Sequence, residues 1–281
     1  MDLKREMNKT IILGSGESIL KLSKEEIDHI NSCNTVIAIN KFTAFYDIVG
    51  IVPTHVYFHD IMGTGMYKLI LDKCLKDDFK DLTIVTNPIF KLFVYKDIVE
   101  FIANYFKYFI VFLRALFGFR IGVVAIIGYI KAFKLVSTRK VPSSWKVHSI
   151  HVSKWNKGGL WAKSFKETIF HFRGSLTSVL NIATIVSPGQ DVFLVGNDFT
   201  GSKYFHEKEL DSVGFDWKDF TFNDTKKSGV HFSFQKVGNS TILDKFPYIL
   251  TSMKKCGNNL FCINEESLLV EKAGVEYKKI L

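Results

Sequence analysis

Short apolar runs, each closed by glycine or a polar residue, recur along this chain with longer amphipathic stretches between them. They stand at residues 10–13 (TIIL), 35–39 (TVIAI), 55–58 (HVYF), 82–86 (LTIVT), 191–195 (DVFLV) and 260–263 (LFCI). Runs this short, apolar at successive positions, predict strands buried on both faces, as in a parallel sheet. Helical spacing follows Ser18 through Ile19, Leu20, Leu22 and Ile27, and returns over 66–75, 175–185 and 243–253. A last short helix opens at Ser267. This alternation predicts an α/β fold with a Rossmann-like, doubly wound, mostly parallel sheet.

Sheets of this kind bind ligands beyond the carboxyl ends of their strands, so the residues closing the runs are the candidates. They are the bend Gly14-Ser15-Gly16-Glu17-Ser18, then Asn40, His59 with Asp60, Asn87, and the turn 196–199 (GNDF). Each alone also suits an ordinary Asx turn or helix cap. The two glycines of the first bend permit close backbone approach, and a helix starting at Ser18 would offer free N–H groups to a phosphate. A dinucleotide fingerprint needs a third glycine where Ile19 stands, so a plain β–α turn is the competing reading.

The pattern breaks over residues 90–133, which are dense in aromatics but interrupted by Lys107, Arg114, Arg120 and Lys131. The longest uncharged run, 121–130, is about half of the ~20 residues a span requires. Residues 101–134 therefore read as an interfacial helical pair at a membrane surface, or as a buried insertion or oligomer contact. Residues 137–166 are basic and carry Trp145, Trp155 and Trp161, and their Pro, Ser and Gly content predicts a loop or lid. The expected organisation is 1–88 as the first half of one nucleotide-binding domain, 89–170 as an insertion, and 171–281 as the second half, with a lid at 200–230.

With 281 residues, 47% of them hydrophobic, the chain can bury a large core. Its net charge of +9 favours anionic partners. No nucleic-acid-binding motif appears, so a nucleic-acid partner is not expected. The start MDLKREMNK is charged and runs directly into the first strand, which predicts no signal peptide. Cys33, Cys74, Cys256 and Cys262 lack metal-ligand spacing and read as reduced thiols of a cytoplasmic protein.

The motifs GSGES, Asn40, FRGSLTS, LVGNDF and CINEESLL occur in one order. That set resembles the bacterial sialyltransferases of glycosyltransferase family 42, the Campylobacter-type enzymes, over about 9–60 and 170–275. The resemblance implies a single Rossmann-like domain, a GT-A-like variant with a lid, that uses a CMP-linked sugar without a metal cofactor. It places Gly14, Ser15, Gly16, Ser18 and Asn40 against the nucleotide and Ser175 and Thr177 against the donor. Gly196, Asn197 and Asp198 fall on the cytidine-binding turn, and His59 replaces a family asparagine. Of two lid tyrosines expected on the departing phosphate, Tyr204 matches one and Thr200 stands near the other place. His231 is the expected base, with His206 as the second candidate. A histidine suits that role because its unperturbed pKa lies near neutrality.

The resulting expectation is an inverting, metal-independent transfer of sialic acid or a related acidic sugar (another nonulosonate or Kdo) to a glycan or glycolipid acceptor of lipooligosaccharide or surface polysaccharide. The protein would sit peripherally on the inner face of the bacterial inner membrane through 101–134, with homo-oligomerisation left open. The alternatives are a transferase for another nucleotide sugar and a non-catalytic nucleotide-binding scaffold at the membrane.

Overall fold

The computed structural model describes residues 9–59, 64–77, 79–91, 94–97, 99–100, 102, 139–154, 156–199, 204–210, 234, 236 and 240–281. Ten strands occur among them: β1 (Lys9–Leu13), β2 (Thr35–Ile39), β3 (His55–Phe58), β4 (Thr83–Thr86), β5 (Val94–Tyr95), β6 (Arg139–Lys140), β7 (Lys146–Ser149), β8 (Asp191–Val195), β9 (Leu260–Cys262) and β10 (Glu276–Tyr277). Eight form one sheet in the order β10-β9-β8-β1-β2-β3-β4-β7, and β5 and β6 pair separately. Every pairing is parallel. The chain builds outward from β1 to β7, then returns to the other side of β1 for β8, β9 and β10. The switch in winding therefore falls between β1 and β8, where Leu13 lies in register with Val195.

Period-two alternation decides which core each strand residue enters. Ile11, Leu13, Val36 and Ala38 pack on one face with Ile30 of helix Lys24–Ser32 and Tyr67, Ile70 and Leu71 of helix Thr64–Lys76. Ile12, Ile37 and Ile39 pack on the other with Leu176, Val179 and Ala183 of helix Ser175–Val186. Phe246, Ile249 and Met253 of helix Phe246–Lys255 join that second core. Helices cover both faces, which is why β1 and β2 could be read as continuous apolar runs.

Two predicted helices start later than expected. The stretch after Ser18 is a 3-10 helix over Glu17–Lys21, and the α-helix begins only at Lys24. Ser23 ends the first piece and starts the second: its side chain accepts from Glu26 N–H while the Glu26 carboxylate accepts from Ser23 N–H, a reciprocal capping box. Residues 242–245 likewise form a 3-10 helix before helix Phe246–Lys255. Pro247 fits in that helix's first turn, where an N–H has no intrahelical acceptor.

The basic, tryptophan-bearing stretch is more ordered than its composition implies. Lys146–Ser149 is the edge strand β7, paired with β4, and Trp145 beside it is wholly buried. The Trp145 indole N–H donates to the carbonyl of Phe79 at 2.6 Å, which satisfies its one polar atom inside the core. Residues 101, 103–138 and 211–233, with most of the predicted interfacial helices and lid, lie outside the described residues. Among the described residues no helix is long and apolar enough to cross a membrane.

Candidate functional site

The two turns at the switch point are built into one another. Gly14 N–H donates to Val195 O at 2.8 Å and Gly16 N–H to Gly196 O at 2.7 Å. A Cβ on Gly14 would lie 2.3 Å from Gly196 O, and one on Gly16 would lie 2.3 Å from Asp198 Oδ2. The glycines are thus required because two loop backbones touch, whatever ligand lies above them. Asn197 belongs to the same seam: nearly buried, it donates from Nδ2 to Ile12 O at 3.3 Å and Val195 O at 3.1 Å.

Asp198 occupies the place expected for an anion. Its carboxylate accepts from Ser18 N–H at 3.0 Å, from the Ser18 hydroxyl, and from Asn264 Nδ2 at 2.9 Å. The first bend therefore differs from the expected phosphate cradle. Its helix start is a single 3-10 turn with little dipole, and Ser18 N–H is already committed to an internal carboxylate. Ser267 completes the frame, donating its hydroxyl to Asn197 O at 2.7 Å.

Across the cleft, Asn40 follows β2 in left-handed backbone geometry (φ 50°) and donates from Nδ2 to Ser175 Oγ at 2.9 Å. Its Oδ1 is buried with no hydrogen-bond partner among the described residues. Such an atom costs about 1–3 kcal/mol unless something supplies a donor. Ser175 opens the helix Ser175–Val186. Arg173, two residues earlier, has φ 60°, is 3% exposed and donates to Ser240 O at 2.9 Å. Burial pulls its pKa down. Thr177 differs from its expected role at the donor. It is fully buried, and its hydroxyl receives Phe172 N–H at 2.8 Å and bonds Gly174 O at 3.0 Å, tying the loop that presents Ser175.

Asn40, Arg173 and Phe199 are the three non-glycine residues with positive φ among those described. All stand in the loops at the carboxyl ends of β2 and β8 and before helix Ser175–Val186. Strained backbone of this kind costs on the order of 1–3 kcal/mol per residue and collects at functional sites. Its concentration here marks this rim as the candidate site.

The segment 204–210 closes over the first bend. Tyr204 forms an isolated bridge with Gly16, and Phe205 N–H donates to Ser15 O at 3.1 Å. The Tyr204 ring is 36% exposed, with Lys41 Nζ 5.8 Å from its centroid, so it remains available to a ligand. His206 is not. It is fully buried among Phe45, Tyr204 and Phe205, and neither ring nitrogen has a hydrogen-bond partner among the described residues. Burial, and secondarily the nearby Lys41 charge, lowers its pKa to about 3. An enclosed neutral imidazole cannot reach an acceptor hydroxyl in this arrangement, which corrects its reading as the second candidate base. His231, Thr200 and Asp60 lie outside the described residues.

His59, after β3, accepts Asn87 Nδ2–H at its carbonyl at 3.0 Å and stacks its ring on Tyr57. Burial, then the neighbouring His171 and His151, lowers its pKa to about 4. His171, which sequence reasoning passed over, pairs its Nδ1 with Ser178 Oγ at 2.8 Å and is likewise lowered to about 4 by burial. Both are neutral at physiological pH and offer hydrogen bonds rather than charge. Asn264, inside the CINEESLL motif, also went unmarked as an individual residue; only the fold reveals its bond to Asp198.

Winding, switch point and rim chemistry define a Rossmann-like, doubly wound α/β protein with a polar rim at its switch point. No protein-family model matches the chain, and no curated protein matches it by sequence. Among solved structures it is similar to the monofunctional alpha-2,3-sialyltransferase Cst-I from Campylobacter jejuni, at 14% identity, covering 98% of this chain and 82% of that one with a TM-score of 0.46. It is also similar to the Campylobacter jejuni sialyltransferase CstII in complex with the substrate analogue CMP-3FNeuAc, at 15% identity over 96% of this chain and 86% of that one, TM-score 0.46. A third is the MAf glycosyltransferase from Magnetospirillum magneticum AMB-1, at 11% identity over 93% of this chain and 32% of that one, TM-score 0.39.

Proposed function

We propose that this protein is an inverting glycosyltransferase that takes sialic acid or a related acidic sugar from a CMP-linked donor to a glycan or glycolipid acceptor, without a metal. The observation that carries this reading is the orphaned, buried Oδ1 of Asn40, set on strained backbone at the switch-point cleft and facing a loop that carries Arg173 and Ser175. A nucleotide amino or hydroxyl group would satisfy that acceptor, and a buried cation nearby suits an anionic donor. The ordered motifs narrow the nucleotide to CMP. In the reaction a base removes the acceptor hydroxyl proton as the anomeric carbon–phosphate oxygen bond breaks, and positioned donors receive the departing CMP. Tyr204 on the first bend is the described residue suited to that second task, and His231 is the proposed base. Because Asp198 already fills Ser18 N–H, donor phosphate contacts would come from the Asn40–Ser175 side and the segment 204–210.

The proposed organisation keeps 1–88 and 171–281 as halves of one domain, with 89–170 between them. Peripheral attachment to the inner face of a bacterial inner membrane through 101–134 belongs to the same proposal. Calorimetry with CMP, UDP and GDP, followed by transfer assays with CMP-linked sugars, tests it. CMP alone should bind, Asn40→Ala should weaken it about tenfold, and His231→Ala should abolish turnover while keeping CMP affinity. Equal binding of all three nucleotides would favour another nucleotide-sugar transferase. CMP binding with no turnover on any CMP-linked sugar would favour the scaffold.

A further inference from the structure

One exposed feature has no part in the cleft: the turn around Leu160, in the basic stretch between β7 and helix Ser175–Val186. Leu160 is 86% exposed, more than any other large hydrophobic residue described. The residues on both sides of it are packed and hydrogen-bonded. Gly158 takes φ 68°, and a Cβ there would stand 3.1 Å from the Phe170 ring. A Cβ on Gly159 would stand 2.9 Å from Ser153 Cβ. On the other side Trp161 N–H donates to the Tyr248 hydroxyl at 2.9 Å and its indole N–H to Thr184 Oγ1 at 2.9 Å. Fully buried Asn181 then clamps the strap, accepting from Ala162 N–H at 3.0 Å and Phe170 N–H at 2.9 Å and donating to Ala162 O at 2.8 Å.

The surroundings of the leucine are cationic. Lys157 and Lys163 are three residues to either side, so their Cα atoms lie within about 11 Å of it at full extension. Lys154 and Lys166 follow at six residues, and all four lysines are exposed. Glu167 is the one acidic residue between 151 and 170. Its carboxylate is turned back onto Lys163 N–H at 3.1 Å and the Ser164 hydroxyl at 3.4 Å. Tyr248, 39% exposed beside the turn, adds a ring with one wet end. An apolar tip flanked along the chain by exposed lysines complements a surface that is hydrocarbon below and anionic at its boundary.

We propose that the loop 156–167 docks on an anionic lipid surface, with Leu160 entering the acyl boundary and Lys157 and Lys163 engaging head groups. This contact is independent of the catalytic reading and of the segment 101–134. The helix that clamps the loop through Asn181 and Thr184 also begins at Ser175, about 9–14 Å along its axis, so docking would fix the height of the switch-point rim above the bilayer.

The test uses the full chain with Cys256→Ser, Leu160→Cys labelled by an environment-sensitive fluorophore, and a control label at exposed Val52→Cys. Vesicles of phosphatidylcholine with phosphatidylglycerol should blue-shift the label at 160 and leave that at 52 unchanged. Lys157→Gln and Lys163→Gln should each raise the lipid concentration for half-maximal shift about fivefold. Four results would overturn the proposal: no shift at 160, an equal shift at 52, an equal shift with phosphatidylcholine alone, or a lipid-independent shift that grows with protein concentration. The last would mean that a second copy of the chain covers the tip.

Discussion

Acid should destabilise this protein in a way that can be assigned to His206. Its imidazole is wholly enclosed by aromatic rings, with Phe45 edge-on at 4.8 Å and Phe205 stacked at 4.8 Å. Burial holds its pKa at about 3, against an ordinary 6.5. Below pH 6.5 the unfolded chain binds a proton that the folded chain refuses, so stability falls as pH drops, and the loss levels off only below about pH 3. Between pH 7.5 and pH 5 this single group accounts for about 2 kcal/mol. At about 2–4 °C per kcal/mol, that is a fall in Tm of roughly 4–8 °C. His55, His59 and His171 are each lowered to about 4 and add losses of the same sign. The comparison must therefore be between wild type and His206→Phe, which keeps an aromatic ring and removes both nitrogens, neither of which has a partner among the described residues. Thermal melts at pH 7.5 and pH 5 should show the variant losing less Tm by that amount. At pH 7.5, removing two unpaired polar atoms opposes the larger ring's crowding, with each effect about 1–3 kcal/mol. Identical acid dependence in both proteins would refute the buried, neutral assignment.

Three further outcomes follow from the geometry. Gly16→Ala should unfold in urea with at least about 2 kcal/mol less stability, because its Cβ would meet Asp198 Oδ2 at 2.3 Å; an unchanged midpoint would mean the two turns are not in contact. Trp145→Phe should cost about 1–3 kcal/mol by stranding Phe79 O and leaving a void beside β7, read from the urea midpoint. Transfer activity, once measured, should be unchanged after EDTA treatment, and restoration by added Mg2+ would overturn the metal-independent reading.

Much of this fold is legible in the chain because burial on both faces leaves a local mark. The runs at β1, β2, β3, β4, β8 and β9 are apolar at successive positions, and polar residues end them at the rim. β7 leaves no such mark because an edge strand needs only partial burial: KVHS opens on an exposed lysine and has one apolar residue, and its placement comes from pairing with β4. β10, two residues long, is likewise set by its neighbour β9. Hydrophobic spacing continues from Ile19 to Ile27 and so predicts one helix, whereas Ser23 and Glu26 break it by capping the second piece.

By itself the sequence determined the winding, the glycine bends and the polar closure of each strand, since these follow from residue type at short range. Only tertiary structure decided what those polar residues face. Asp198 plugs the bend that seemed shaped for phosphate, Thr177 and Asn197 turn inward to hold loops, His206 is enclosed, and Asn40 keeps an acceptor unmet among the described residues. For Asp198, Asn197, Asn40 and His206 the outcome depends on partners more than a hundred residues away in the chain, and no local pattern records whether a polar atom's partner arrives from the fold or is left for a ligand.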